Sequence, residues 1–119
     1  MSSVGTMDAT IYHLPRCSTS RKTLDRLRDA GIEPTVVKYA DEGWTAEQLR
    51  ELFADAGLTP GEAVRKREKL YGELNLAEAT DEEILAAMVE YPLLVERPFV
   101  VTAKGTRLAR PVESVDEIL

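Results

Sequence analysis

Apolar and polar positions along the chain follow two periods, and the changes between them mark the elements. Residues 9–14, "ATIYHL", are a short β-branched and aromatic run that ends at Pro15, as a strand does. In "SRKTLDRLRDAG", Leu24, Leu27 and Ala30 recur three apart and Gly31 offers a C-terminal stop, which predicts a helix. After Glu33-Pro34 the run "TVVKY" is a second strand. The first forty residues therefore read as a βαβ unit with a parallel strand pair and a right-handed crossover. Cys17 falls in the loop between the end of the first strand and the start of the helix.

The middle of the chain, about 45 to 91, is helical, with its boundaries written in capping residues. Thr45 with Gln48, Thr59 with Glu62, and Thr80 with Glu83 each have the capping-box spacing, and Pro60 falls at a favoured first helical position. Leu49, Leu52, Phe53 and Ala56 share one face, and Ile84, Leu85, Met88 and Val89 another. "PFVVT", the turn "AKG" and "TRLAR" then form a β-hairpin, and Val112, Val115 and Ile118 give the last segment an apolar helical face.

The pattern sums to an α/β fold of the thioredoxin type. It has a mixed four-stranded sheet flanked by helices and a helical insertion between the second and third strands. Residues 1–8 are small and polar and read as a flexible tail, leaving residues 9–119 as a single domain.

Composition narrows the function. With 119 residues the chain suits one domain that buries roughly two-thirds of its unfolded surface. Hydrophobic residues are 44% and charged residues 30%, and no apolar run approaches the ~18 residues of a membrane span, so a soluble protein without a membrane partner is expected. "MSSVGTMDA" lacks the basic and apolar regions of a secretory signal, which makes the cytoplasm the expected location. The formal charge of −6 argues against nucleic acid as a partner, although a local basic pocket is compatible with it. A single cysteine makes no internal disulfide, so redox chemistry here borrows a thiol from another molecule.

The candidate chemistry is concentrated in "YHLPRCSTSR", residues 12–21, which hold the only cysteine and the only histidine. A thiolate is the nucleophilic form of cysteine, and a helix N-terminus favours it through unpaired N–H groups and the positive end of the helix dipole. The same amides form an anion site. Ser18, Thr19 and Ser20 can add hydroxyl donors, and His13 lies on the strand leading in. The plainer alternatives are a buried apolar Cys17 and a His13 that only packs; the polar surroundings of Cys17 argue against the first.

Two cysteine signatures fail on counting. A phosphatase loop needs an arginine where Thr23 stands, and Arg21 comes too early; a dithiol motif needs a second cysteine where Ser20 stands. What remains is a monothiol site with an anion cradle. Neither zinc-ligand spacing nor a glycine-rich nucleotide loop is present, so no bound metal or organic cofactor is expected.

The blocks "IYHLPRCSTSRKTL", "VRKREKLYGELNLAE", "MVEYPLLVERPFVVT" and "GTRLARPVE" together resemble the glutaredoxin-linked arsenate reductase family, over about residues 9 to 119. The resemblance implies a thioredoxin-like enzyme in which Cys17 attacks arsenate and Arg65, Arg97 and Arg110 hold the oxyanion. It implies that His13 and Ser20 assist ionisation of the cysteine. It also implies an external thiol such as glutathione, and a glutaredoxin-like partner that completes the reduction to arsenite. Relatives in that family often carry asparagine between the histidine and the proline, where this chain has Leu14, which removes an amide that could brace the loop. A thioredoxin-type fold starts the strand facing the nucleophile with a cis-proline, so a cis Arg97–Pro98 bond that turns Arg97 toward Cys17 is expected.

Arg26, Arg28, Arg50 and Arg107 read as solvated surface, and Arg16 and Arg21 as electrostatic background. Arginine suits a tetrahedral oxyanion because its planar, permanently charged fork presents parallel donors. Two other functions share parts of this pattern. One is a monothiol oxidoreductase acting on another substrate. The other is a non-enzymatic regulator of the Spx type that binds RNA polymerase, which Ser20 in place of a second cysteine disfavours.

Overall fold

The computed structural model describes residues 8–119. The expected tail lies outside the described residues except for Asp8, which is exposed. The chain forms two compact units, Met1–Lys38 with Arg97–Leu119, and Tyr39–Glu96.

The first unit is built on a four-stranded sheet. Its strands are β1 (Ala9–His13), β2 (Thr35–Lys38), β3 (Phe99–Thr102) and β4 (Gly105–Leu108), in the order β2-β1-β3-β4. β1 pairs parallel with β2 and antiparallel with β3, and β3 pairs antiparallel with β4. The sheet is therefore mixed, as the sequence predicts. Ala9, Ile11 and His13 of β1 are buried while Thr10 and Tyr12 are half-buried, the two-residue period of a strand with one face on a core. β2 is an edge strand and is correspondingly less buried, with Lys38 exposed.

Helix α1 (Ser18–Asp29) makes the crossover. Its buried face differs from the sequence reading: Ser20, Thr23 and Leu27 are buried, Leu24 is half-buried and Ala30 is exposed. Counting apolar residues misses hydroxyls that are satisfied internally. Thr23 Oγ1 donates to the Thr19 carbonyl at 2.8 Å and Ser20 Oγ lies 2.6 Å from His13 Nδ1, so both side chains are buried without an unmet polar group. The helix ends where Gly31 takes φ +83°, and the N–H groups of Gly31 and Ile32 return to the carbonyls of Arg28 and Leu27. This closure seats Ile32 against Leu27 in a core completed by Ala9, Ile11, Val100, Ala109, Val115 and Ile118.

The final segment, Val112–Ile118, is a 3₁₀-helix. Val112, Val115 and Ile118 stand three residues apart, so a three-residue turn puts all of them on one face. Thr102 Oγ1 donates to the Ile118 carbonyl at 2.7 Å and ties this segment to β3.

The second unit is helical: α2 (Tyr39–Glu42), α3 (Ala46–Ala56), α4 (Pro60–Ala63), α5 (Lys69–Glu73) and α6 (Asp81–Glu90), with 3₁₀ turns at Leu76–Glu78 and Pro92–Leu94. The insertion thus begins at Tyr39, which the sequence assigned to the preceding strand. All three capping boxes form, before α3, α4 and α6. Leu49, Leu52, Phe53, Ile84, Leu85 and Met88 are buried, whereas Val89 is exposed. An isolated antiparallel bridge between Val64 and Val95 carries hydrogen bonds from Arg65 N–H to the Leu94 carbonyl at 2.7 Å and from Glu96 N–H to the Ala63 carbonyl at 2.9 Å.

Two substitutions rank these devices. Leu27 is fully buried, and Leu27→Ala should destabilise the fold by about 2–5 kcal/mol. Thr80→Ala, which removes one capping box, should cost about 1 kcal/mol. Urea unfolding midpoints of the two variants check the order.

Candidate active site

Strand register assembles the site. The β1–β3 pairing runs from Ala9↔Thr102 to Tyr12↔Phe99, so its continuation puts Pro98 beside His13 and Arg97 beside Leu14. The β3–β4 pairing runs from Thr102↔Gly105 to Phe99↔Leu108, and its continuation puts Ala109 beside Pro98 and Arg110 beside Arg97. A hydrogen bond from Ala109 N–H to the Pro98 carbonyl at 2.9 Å extends that ladder. The Arg97–Pro98 bond is cis, as expected; Arg110–Pro111 is also cis, which the sequence reading did not anticipate.

Cys17 is the N-cap residue of α1 and is half-buried. Its loop is closed by Cys17 N–H donating to the Leu14 carbonyl at 2.9 Å, while Arg21 N–H donates to the Cys17 carbonyl at 3.0 Å. Burial pushes the Cys17 thiol up. Hydrogen bonding from the Ser20 N–H, the Arg97 side chain and the Thr19 N–H, with the Arg97 charge, outweighs burial and holds the group below the ordinary thiol value. The donors from α1 are backbone groups of the helix N-terminus. The Ser20 hydroxyl is engaged elsewhere, with His13 Nδ1 and with the Leu14 N–H at 3.1 Å.

His13 is buried, and its pKa lies below the usual imidazole value. Burial is the main cause, followed by the charges of Lys38, Arg28 and Arg21. The ring is therefore neutral at neutral pH, and with Ser20 it fixes the Cys17 loop to the end of β1. Leu14 is buried, and its two backbone groups brace the loop by bonding Ser20 Oγ and Cys17 N–H. The brace that an amide side chain could supply is made here by main chain, with an apolar side chain packed behind it. Arg21, read as background, also acts on the loop: its Nη1 donates to the Pro15 carbonyl at 2.8 Å.

Cys17, His13, Ser20, Arg97 and Arg110 thus all belong to the sheet unit. Arg97 is buried and bonded to the sulfur, and Arg110 Nη1 donates to the Arg97 carbonyl at 3.0 Å. Arg65 belongs to the helical unit, where its Nη1 meets Glu96 Oε1 at 3.0 Å. Sequence reasoning missed Glu96, because nothing in the chain signals a pairing 31 positions apart. The arginines read as surface do form surface ion pairs: Arg26 with Asp116, Arg28 with Glu33, Arg50 with Glu82, and Arg107 with Glu117.

Charge is unevenly divided. The sheet unit has ten Lys and Arg against seven Asp and Glu, a formal +3, whereas the helical unit has five against fourteen, a formal −9. The cysteine is therefore set in a net-positive unit of an acidic chain. Among the described residues no three His, Cys, Asp or Glu side chains gather as metal ligands.

The shifts give two measurable outcomes. The alkylation rate of Cys17 by a neutral reagent should rise with pH at a midpoint below the free-thiol value of ~8.5, and Arg97→Met should move that midpoint upward. The single imidazole should titrate by NMR below the ordinary ~6.5. Because the folded pKa of His13 is depressed, its contribution to stability is complete above the unfolded value and is lost as pH falls through the folded one.

Residues 12–118 match the ArsC family. The chain is 53% identical over 111 residues to an arsenate reductase of Synechocystis, covering 92% of this chain and 79% of that protein. It is 50% identical over 115 residues to an arsenate reductase of Rhizobium meliloti, covering 95% and 82%. Among solved structures, an arsenate reductase from Vibrio cholerae superposes with a TM-score of 0.90 at 43% identity, covering 96% of this chain and 99% of that one. The mixed sheet with flanking helices is thus the thioredoxin-like architecture of these relatives, and the chain belongs to the ArsC family.

Proposed function

We propose that this protein reduces arsenate to arsenite, with Cys17 as the nucleophile and Arg97, Arg110 and Arg65 as ligands of the oxyanion. The observation that carries the reading is the Cys17 sulfur at the N-terminus of α1 with the Arg97 side chain hydrogen-bonded to it. That pairs an activated nucleophile with a ligand for a tetrahedral anion. The names of the relatives supply the substrate. Arg110, bonded to the Arg97 carbonyl, orders the second fork. Arg65 is assigned by its place in the "RK" pair of the family motif.

In the proposed reaction the Cys17 thiolate attacks arsenic and an arsenate oxygen leaves as water, giving a sulfur–arsenic adduct without change of oxidation state. Reduction needs two electrons. One thiol, glutathione or a functional equivalent, displaces a second oxygen as water and joins the arsenic; the thiolate of a glutaredoxin-like partner then attacks that thiol's sulfur, breaking its bond to arsenic and leaving as a mixed disulfide. Arsenic thereby accepts the electron pair, and hydrolysis releases arsenite and the Cys17 thiol. Net, one arsenate and two thiols give one arsenite, one disulfide and one water. His13 and Ser20 keep the loop in the geometry that favours the thiolate. The need for reduced thiols suits the cytoplasm. Among the described residues no helix is long and apolar enough to cross a membrane.

A coupled assay with arsenate, glutathione, glutaredoxin, glutathione reductase and NADPH tests the reading. Arsenate-dependent NADPH consumption is expected, and Cys17→Ser should abolish it. Arg97→Ala and Arg110→Ala should each lower kcat/KM by about 10²–10³, the scale of losing an oxyanion-stabilising donor. Lysine at either position should restore only part, since it returns charge without the fork. Arg26→Ala, at a surface ion pair, should leave turnover near normal. Absence of arsenate-dependent turnover would overturn the proposal, and RNA polymerase binding in its place would select a regulator.

A further inference from the structure

Arg65 and Glu96 are joined in an unusual way for a pair so well held. The two segments that carry them are tied by the hydrogen bonds of the isolated Val64–Val95 bridge, from Arg65 N–H to the Leu94 carbonyl at 2.7 Å and from Glu96 N–H to the Ala63 carbonyl at 2.9 Å. The side chains are 17% and 22% exposed, ordered yet reachable from solvent. Their contact nevertheless uses one atom from each partner, Arg65 Nη1 and Glu96 Oε1 at 3.0 Å. The surface pair Arg26–Asp116 shows the contrast: it closes both prongs, with Nε to Oδ1 at 2.8 Å and Nη2 to Oδ2 at 2.6 Å. The single-point contact leaves the other donor groups of Arg65 and the second carboxylate oxygen of Glu96 outside their mutual hydrogen bond.

We infer that the Arg65–Glu96 pair is a donor–acceptor couple that selects a protonated tetrahedral oxyanion, with Arg65 donating to an anionic oxygen and Glu96 accepting from a hydroxyl. The inference rests on Arg65 as an oxyanion ligand and adds the specificity of that ligand. A lone arginine binds any tetrahedral anion, since sulfate, phosphate and arsenate offer it the same acceptors. A carboxylate beside it changes the selection. Arsenate and phosphate carry a hydroxyl near neutral pH and can donate to Glu96, whereas sulfate carries none and would bring lone pairs against a buried-side carboxylate. An acceptor that meets a hydroxyl discriminates strongly against an analogue lacking it, because the unmatched group is left unpaired or repelled. Glu96 also immediately precedes Arg97 in the chain, so the same short segment carries this acceptor and the arginine bonded to Cys17.

Glu96→Gln is the test variant, because its amide keeps the size and the oxygen that bonds Arg65 while making the other position a donor. The coupled arsenate assay is run with sulfate or phosphate as competitive inhibitor, on the wild type, Glu96→Gln and Arg65→Ala, with circular dichroism confirming the fold of each. In the wild type the sulfate inhibition constant should be far above the arsenate KM. In Glu96→Gln the ratio of the sulfate constant to the arsenate KM should fall by about tenfold or more, the scale of one hydrogen bond to a charged group. The ratio of the phosphate constant to the arsenate KM should stay put, since both anions carry a hydroxyl. A general gain of anion affinity from removing one negative charge, or a general loss from misplacing Arg65, would move all three constants together and overturn the inference. So would an unchanged sulfate ratio while Arg65→Ala still raises the arsenate KM, which would leave Glu96 as a charge partner only. If Arg65→Ala leaves the arsenate KM unchanged, the failure lies in the assignment of Arg65 itself.

Discussion

A thiolate held partly out of water has to be met by donors that the fold supplies, because burial by itself favours the neutral thiol. At Cys17 that requirement is met by the N–H groups at the start of α1 and by the Arg97 side chain. Each arrives for a reason of topology. The parallel pairing of β1 with β2 forces a crossover helix to begin just beyond the end of β1, which places its amide cluster at the loop. The antiparallel pairing of β1 with β3 brings the residue two before Phe99 to the same end of the sheet, and that residue is Arg97. β4 extends the ladder by one more strand and adds Arg110. The sheet order β2-β1-β3-β4 is therefore the frame of the chemistry as well as of the core.

The loop between these elements is held mainly by its own backbone. Leu14 donates its N–H to Ser20 Oγ and accepts from Cys17 N–H, and Pro15 accepts from Arg21. Main-chain bonds of this kind are indifferent to the side chain at position 14, which leaves that side chain free to pack as a hydrocarbon. The hydroxyl of Ser20 serves His13 and Leu14, and so influences the sulfur through the placing of the loop. A side chain that looks in sequence like a donor to the nucleophile is bonded instead to His13 and to the backbone of Leu14.

Much of this was legible in the sequence, and the limits of legibility are physical. Capping boxes are local, with both partners within three residues, and all three form where the spacing predicts them. The β-branched and aromatic run "ATIYHL" ending at Pro15 and the glycine stop at Gly31 are likewise local, and they mark β1, α1 and the cysteine loop. The buried face of α1 does not follow from apolar spacing, because Ser20 and Thr23 hide their hydroxyls in bonds that a count of apolar residues does not see. Val89 was assigned to an apolar face and is exposed, because three inward positions already satisfy α6. Glu96 escaped notice altogether: its meaning comes from a bridge between segments far apart in sequence, and next to Arg97 it reads as one more surface carboxylate.

Net charge was the least informative quantity. An overall −6 argues against anion chemistry on its face, yet the acidic excess resides in the helical unit and the unit that holds Cys17 is net positive. Even there, the charge that bears on the sulfur is that of Arg97, which is buried, aimed by its strand register and hydrogen-bonded, whereas Arg26 and Arg28 are committed to surface carboxylates. An arginine contributes to a site in proportion to how far the fold has fixed its fork and withheld it from other anions. By that measure Arg97 and Arg110 are held by main-chain geometry in the sheet unit, while Arg65 in the helical unit is paired with the Glu96 carboxylate. A carboxylate that holds an arginine is also a hydrogen-bond acceptor, and an acceptor meets an anion that carries a hydroxyl differently from one that carries none.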